Sequence, residues 1–110
     1  MKVAIGCDHA GYPLKVAVED KLLKDGYEII DLGTDSTEPV DYPGYGKAVG
    51  EAVARGLAER GIVICGSGIG ISIAANKVKG VRCALCTSVE MAEMSRRHND
   101  ANVLAMGARM

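Results

Sequence analysis

Apolar positions along the chain gather into five short runs, and the stretches between them repeat at helical spacing. The runs are Lys2–Cys7 (KVAIGC), Tyr27–Gly33 (YEIIDLG), Gly61–Cys65 (GIVIC), Val81–Cys86 (VRCALC) and Ala101–Gly107 (ANVLAMG), and each reads as a strand. After the first, Pro13 suits the opening turn of a helix. Leu14, Ala17, Val18 and Leu22 then recur on one helical face, and Gly26 ends the pattern. Thr34–Gly44 (TDSTEPVDYPG) is rich in turn formers and reads as a loop. Val49, Ala52, Val53 and Leu57 mark the face of a second helix. A third starts within or just after Cys65–Gly70 (CGSGIG) and ends near Gly80. The pattern TSVE, Thr87–Glu90, predicts a capping box and a fourth helix from Thr87 to about Arg97.

Strands alternating with helices over short connections predict an α/β fold. The expected form is a Rossmann-like three-layer α/β/α sandwich around a five-stranded parallel sheet, in the order 2-1-3-4-5. The sequence stops at Met110, just past the fifth strand. A doubly wound sheet is expected to carry a further helix over that edge, so either a partner covers it or the chain is a fragment.

The length of 110 residues predicts one domain, 1–110, and 48% hydrophobic residues supply a core. The formal net charge is -1, the basic residues are scattered, and tyrosine is the only aromatic type. These features argue against a nucleic-acid partner, which needs a clustered basic surface or stacking platforms. No apolar run approaches the length of a membrane span, and the opening segment reads as a strand rather than a leader. The expected setting is cytoplasmic, with reduced thiols. Of the four cysteines, Cys83 and Cys86 have CxxC spacing, but on a strand such residues face opposite ways. They read as small buried hydrophobes, and Cys7 has no assigned role. With two histidines on separate segments and no dense acidic cluster, no metal site is expected.

In open parallel sheets ligands bind beyond the carboxyl ends of the strands, where the strand order reverses. Here that crevice lies between the first and third strands. It would bring Asp8 and His9 beside Cys65–Gly70. The spacing Gly6–Gly11 matches a dinucleotide fingerprint except at its middle glycine, which is Asp8, a charge that would repel a pyrophosphate. Asp31 does stand where a ribose-binding acid would. The second glycine run matches neither a dinucleotide fingerprint nor a phosphate loop, so no cofactor is expected.

An anion hole fits the glycines better, because they let backbone N–H groups approach a ligand at a helix start. Cys65 beside that positive end favours a thiolate, either as a nucleophile toward a carbonyl or as a base toward a carbon acid. Taken singly, Cys65 reads as a buried strand-end thiol, and Ser67 and Asp8 as helix caps. Their convergence at one switch point favours function. His98 lies at the carboxyl end of the fourth helix, away from the crevice, so a catalytic His98 would have to serve a neighbouring subunit.

The segments CDHAG, DYP, CGSGIGISIAANKVKG and HNDANVLAMGAR resemble, in order and along the whole chain, the ribose-5-phosphate isomerase B family, which includes galactose-6-phosphate and allose-6-phosphate isomerases. The resemblance implies metal-free aldose–ketose isomerisation of a sugar phosphate through an enediolate. It implies that Cys65 is the base, that Ser67 assists, and that His98 is the acid opening the sugar ring. The amides of Gly66, Ser67, Gly68, Ile69 and Gly70 would hold the enediolate oxygen. Asp8, His9, Asn99 and Arg109 would contact substrate. It further implies a homodimer or homotetramer with shared sites. The family runs on for a few dozen residues in a helix and tail with further phosphate-binding arginines, a segment absent here. The leading expectation is a ribose 5-phosphate isomerase. The alternatives are a hexose-phosphate isomerase, a non-catalytic phosphate- or nucleotide-binding module, and an inactive fragment that acts through assembly.

Overall fold

In the computed structural model, residues 1–33 and 42–110 are described, with Tyr42 and Pro43 as backbone only. The chain runs β1 (Lys2–Cys7), α1 (Tyr12–Lys24), β2 (Glu28–Asp31), α2 (Tyr42–Ala54), β3 (Arg60–Cys65), α3 (Ile69–Asn76), β4 (Cys83–Leu85), α4 (Val89–Asn99) and β5 (Val103–Gly107). β1 is buried without a break from Val3 to Cys7, as expected of a strand covered on both faces. All strand pairs are parallel. Within the expected loop Thr34–Gly44, the described part, Tyr42–Gly44, is the first turn of α2; Thr34–Asp41 lie outside the described residues.

The sheet order is β2-β1-β3-β5-β4, which corrects the expected placing of β4 beside β3. β5 pairs with β3 over five residues, Gly61↔Val103 to Cys65↔Gly107. Its Val103 and Ala105 are buried in the core cluster. β4 has only three residues, all half-buried, and suits an edge. The longer and more apolar strand takes the interior. β5 is therefore not the sheet's edge, and the expectation of an uncovered edge there is corrected as well.

The two faces differ. α2 and α3 press Val49, Ala52, Val53, Ile71 and Ala75 against Ala4, Val63, Val103 and Ala105, forming the main core. This approach is close because Gly61 has no side chain: a Cβ there would stand 2.6 Å from Val49 Cγ1. Leu57, expected on the same face, lies beyond the end of α2 and is exposed. On the other face α1 offers half-buried Leu14 and Leu22, and α4 buries no residue fully. Between them an open cleft of about 380 Å³ runs over β5, lined by Leu14, Ala92, Leu104, Met106 and Met110.

The cap of α4 falls one residue later than expected, and the helix runs from Val89 to Asn99. Ser88, not Thr87, is its cap, with Oγ accepting from Met91 N–H at 3.1 Å. Cys86 is buried as expected, whereas Cys83 is half-buried on the edge strand. Both backbone groups of Cys83 are engaged by one side chain: Asn76 Oδ1 accepts its N–H at 2.7 Å, and Asn76 Nδ2 donates to its carbonyl at 2.9 Å.

The Gly61–Val49 contact sets a stability test. Gly61→Ala is expected to cost about 1–3 kcal/mol through overpacking. Adding Val49→Ala should recover part of that loss, because the clashing methyl is removed. Urea denaturation of the two single variants and the double variant measures the coupling.

Candidate active site

β1 ends at Cys7 and turns into α1 through Asp8–Gly11, while β3 ends at Cys65 and turns into α3 through Gly66–Gly68. The strands are neighbours, so the two turns lie side by side at the switch in strand order, as expected. They are also bonded: Asp8 N–H donates to Ile64 O at 3.2 Å. Gly11 packs so closely that a Cβ there would fall 2.6 Å from the same carbonyl. Asp8 is 6% exposed, and its Oδ1 accepts Gly11 N–H at 3.0 Å. Its carboxylate therefore closes the turn that leads into α1. His9 is half-buried in the same turn.

Cys65 is 6% exposed, and its Sγ accepts Gly68 N–H at 3.2 Å. The turn that aims this donor requires Gly68 in the left-handed region, φ 80°. A Cβ at Gly68 would also lie 2.6 Å from Leu85 Cδ1 and 2.8 Å from the Met106 carbonyl carbon. Ser67 Oγ accepts Ile69 N–H at 3.1 Å, so Ser67 serves as a side-chain cap whatever else it does. Two amides of the expected row, Gly68 and Ile69, are thus occupied within the chain. Gly70 and Ile71, in the first helical turn, have no intrahelical acceptor and are available to an anion together with the Gly66 and Ser67 amides of the expected row.

Sequence reasoning missed how the end of β5 completes this site. Ala108 N–H donates to Cys65 O at 2.8 Å and Arg109 N–H to Gly66 O at 2.9 Å. Gly107 allows this, since a Cβ there would stand 2.5 Å from Ser67 O. The resemblance implied a role for Arg109, but for the close approach itself the sequence signal was a glycine closing an apolar run. Arg109 is thereby carried over the turn after β3, where a Cβ at Gly66 would lie 3.5 Å from its Cδ and 3.8 Å from Ala10 Cβ. The structure therefore gathers Asp8, His9, Cys65–Gly70 and Arg109 at one end of the sheet. It does not bring His98 and Asn99 there. They lie in the last turn of α4, which returns the chain to the amino ends of the strands, and Asn99 O accepts Arg82 Nε there at 2.6 Å.

Asp31 is not free for a ribose. Lys15, 2% exposed, donates to Asp31 Oδ1 at 3.0 Å and Oδ2 at 2.8 Å. Burial raises the Asp31 carboxyl, but the hydrogen bonds from Lys15 and the Gly33 N–H outweigh it and hold the group below its ordinary range. Burial likewise lowers the Lys15 ammonium, and Asp31 turns the net shift upward. Cys83 is pushed up to about 12, first by burial and then by Cys86. Its thiol is accordingly neutral and inert near neutral pH. Among the described residues no three His, Cys, Asp or Glu side chains gather as a metal site, and no helix is long and apolar enough to cross a membrane.

Comparison with known proteins gives a consistent picture. The family described as Ribose/Galactose Isomerase matches residues 3–110. The chain is 51% identical over 109 residues to ribose-5-phosphate isomerase B of Escherichia coli, covering 99% of this chain and 73% of the relative. It is 43% identical to a galactose-6-phosphate isomerase subunit of Clostridium acetobutylicum, covering 100% of this chain and 64% of the relative. Among solved structures, ribose-5-phosphate isomerase B of Clostridium thermocellum aligns with TM-score 0.98 at 61% identity, over 99% of this chain and 74% of that one. The type B enzyme of Trypanosoma brucei aligns with TM-score 0.94 at 50% identity, again over 99% and 74%.

The turn after β3 yields a direct test. Gly68→Ala is expected to destabilise the chain by about 2–4 kcal/mol, from the left-handed backbone and the contacts with Leu85 and Met106. Denaturant melts read the stability. Loss of protection of the residue-68 amide in hydrogen exchange reads the lost bond to Cys65.

Proposed function

The chain belongs to the ribose/galactose isomerase family, and from that membership we propose that it interconverts ribose 5-phosphate and ribulose 5-phosphate with Cys65 as the base. It is an aldose–ketose isomerase. The observation that carries the assignment of Cys65 is its sulfur at the mouth of a helix N-terminus, held by Gly68 N–H at 3.2 Å beside donors still free for an oxyanion.

In this reading the open-chain aldose lies across the crevice. The Cys65 thiolate takes the proton from C2. The C–H electron pair forms the C1=C2 double bond, and the carbonyl oxygen O1 becomes the enediolate oxygen. The thiol then returns its proton to C1, the O2–H proton moves to O1, and O2 becomes the ketose carbonyl. A carbon acid is too weak for such a transfer unless the oxyanion is stabilised, which is the task of the amides at the start of α3. Ser67 stands beside them and assists. Asp8 and His9 face sugar oxygens from the opposite turn. Arg109, carried over Gly66, offers a positive charge to the phosphate.

His98 is assigned as the acid that opens the furanose ring. Within one chain it lies at the far end of α4 from Cys65, so the assignment requires a second copy to supply it, together with Asn99. The proposed assembly is therefore a homodimer or homotetramer with sites shared between pairs of chains, working in the cytoplasm. The alternative substrate is a hexose 6-phosphate, favoured by the likeness to the galactose-6-phosphate isomerase subunit.

Conversion of ribose 5-phosphate, followed with EDTA present, tests the assignment. Cys65→Ala is expected to lower kcat by about a thousandfold, within the usual range for a lost acid–base group. Unchanged turnover would remove Cys65 as the base. Faster turnover of galactose 6-phosphate would shift the substrate to the alternative. Mixing the inactive Cys65→Ala and His98→Ala chains under subunit exchange should restore about a quarter of wild-type activity, from mixed dimers with one intact site. Continued inactivity with exchange demonstrated would refute the shared site.

A further inference from the structure

Lys15 is buried, yet the proposed chemistry leaves it without a role. A lysine on a helix ordinarily keeps its ammonium in water. Here the side chain reaches from α1 to the end of β2, where Nζ donates to Asp31 Oδ1 at 3.0 Å and to Oδ2 at 2.8 Å. Nζ also lies 5.3 Å from the centre of the Tyr12 ring, within range of a cation–π attraction. Tyr12 is the first residue of α1 and follows directly on the Asp8–Gly11 turn. The Lys15 stem lies against Gly33: a Cβ there would stand 3.2 Å from Lys15 Cδ, 2.7 Å from Cys7 N and 3.0 Å from Cys7 Sγ. Two bonds keep Gly33 in that place. Its own N–H donates to Asp31 Oδ1 at 3.1 Å, and the Leu32 N–H before it donates to Ile5 O at 2.7 Å.

The backbone carries this anchorage to the turn. Lys15 N–H donates to Gly11 O at 2.9 Å, and Gly11 N–H returns to Asp8 O at 3.1 Å and to Asp8 Oδ1 at 3.0 Å. One ammonium thus fixes the first turn of α1 against the ends of β1 and β2, and the residues between these anchors include Asp8 and His9. We propose that the Lys15–Asp31 pair positions the Asp8–Gly11 turn, and that Lys15 thereby sets where Asp8 and His9 meet the substrate. Its bearing on substrate rests on the isomerase reading above, whereas its bearing on the turn does not.

Stability alone is a poor reason for such a pair. Taking charges out of water offsets much of their attraction, and apolar side chains of similar volume often serve as well. Asp31 keeps 42% of its side chain exposed, so it rehydrates when the ammonium is removed. What an apolar side chain does not supply is direction, since hydrogen bonds to two oxygens fix where the helix start stands. Cys65 lies outside this linkage, because Gly68 and the turn after β5 hold it. Loosening the pair should therefore weaken substrate binding and spare the proton transfer.

The test uses the whole chain and two variants. Lys15→Met keeps the volume of the stem, and Asp31→Asn changes the exposed partner, so the second remains informative where the first does not fold. In each, KM for ribose 5-phosphate is expected to rise about tenfold, the effect of one weakened hydrogen bond, with kcat within about twofold of wild type. The double variant should be no worse than either single one, because the two residues act together. Amide hydrogen exchange reads the turn without substrate. The Gly11 and Lys15 amides should exchange at least about tenfold faster, while the Ala108 amide, bonded to Cys65 O, keeps its protection. Unchanged Gly11 exchange in the folded variants would overturn the proposal. So would a loss shared equally by Ala108, the mark of lowered global stability, or an unchanged KM. A wild type inactive on sugar phosphates would instead strike the isomerase reading, and the Gly11 exchange would still decide whether the pair positions the turn.

Discussion

The active end of this protein depends on two backbone turns stacked without side chains between them. The turn after β3 lies on the turn after β5 because Gly68 faces Met106 and Gly107, while Gly107 faces Ser67 O. No other residue type fits these positions, since each Cβ would fall at or below 3.0 Å from backbone atoms. Two hydrogen bonds then lock the turns, from Ala108 and Arg109 to the carbonyls of Cys65 and Gly66. The thiol, the donor that holds it and the cation above it are therefore positioned by one rigid contact. The side chains that do chemistry need little freedom of their own, which suits a reaction in which the reacting atoms must be held close and aligned.

The same contact explains the corrected strand order. Arg109 can reach Gly66 only if β5 lies beside β3. A sheet with β4 in that place would leave Cys65 O and Gly66 O without these donors. The interior position of β5 belongs to the site as much as to the core. The core itself is asymmetric, with α2 and α3 packed tightly on one face and α1 and α4 leaving a cleft on the other.

Much of this was legible in the chain. The five apolar runs became strands because each is short, bounded by turn formers and, in β1, unbroken by polar residues. The crevice residues Asp8, His9 and Cys65–Gly70 could be placed together because parallel topology fixes which strand ends meet. What escaped was set by long-range pairing. The runs VRCALC and ANVLAMG are nearly equal in length, so the shortness of β4 that sends it to the edge emerges only in the fold, and local pattern carries no register between distant strands. Lys15 was invisible for a similar reason: a lysine on a helix reads as solvent-facing until β2 places Asp31 opposite it. The Thr87–Glu90 pattern erred by one position because Ser88 is an equally good cap, and backbone geometry alone decides between neighbours.

The Asn76 amide, reaching from the end of α3 to β4, has a consequence for that edge of the sheet. An edge strand ordinarily offers its N–H and C=O groups as a template for another strand, the route to continuous sheets and fibrils. At Cys83 a side chain already imitates that incoming strand, filling both backbone positions. With only three residues in the strand and this one taken, the β4 border offers little template for edge-to-edge growth.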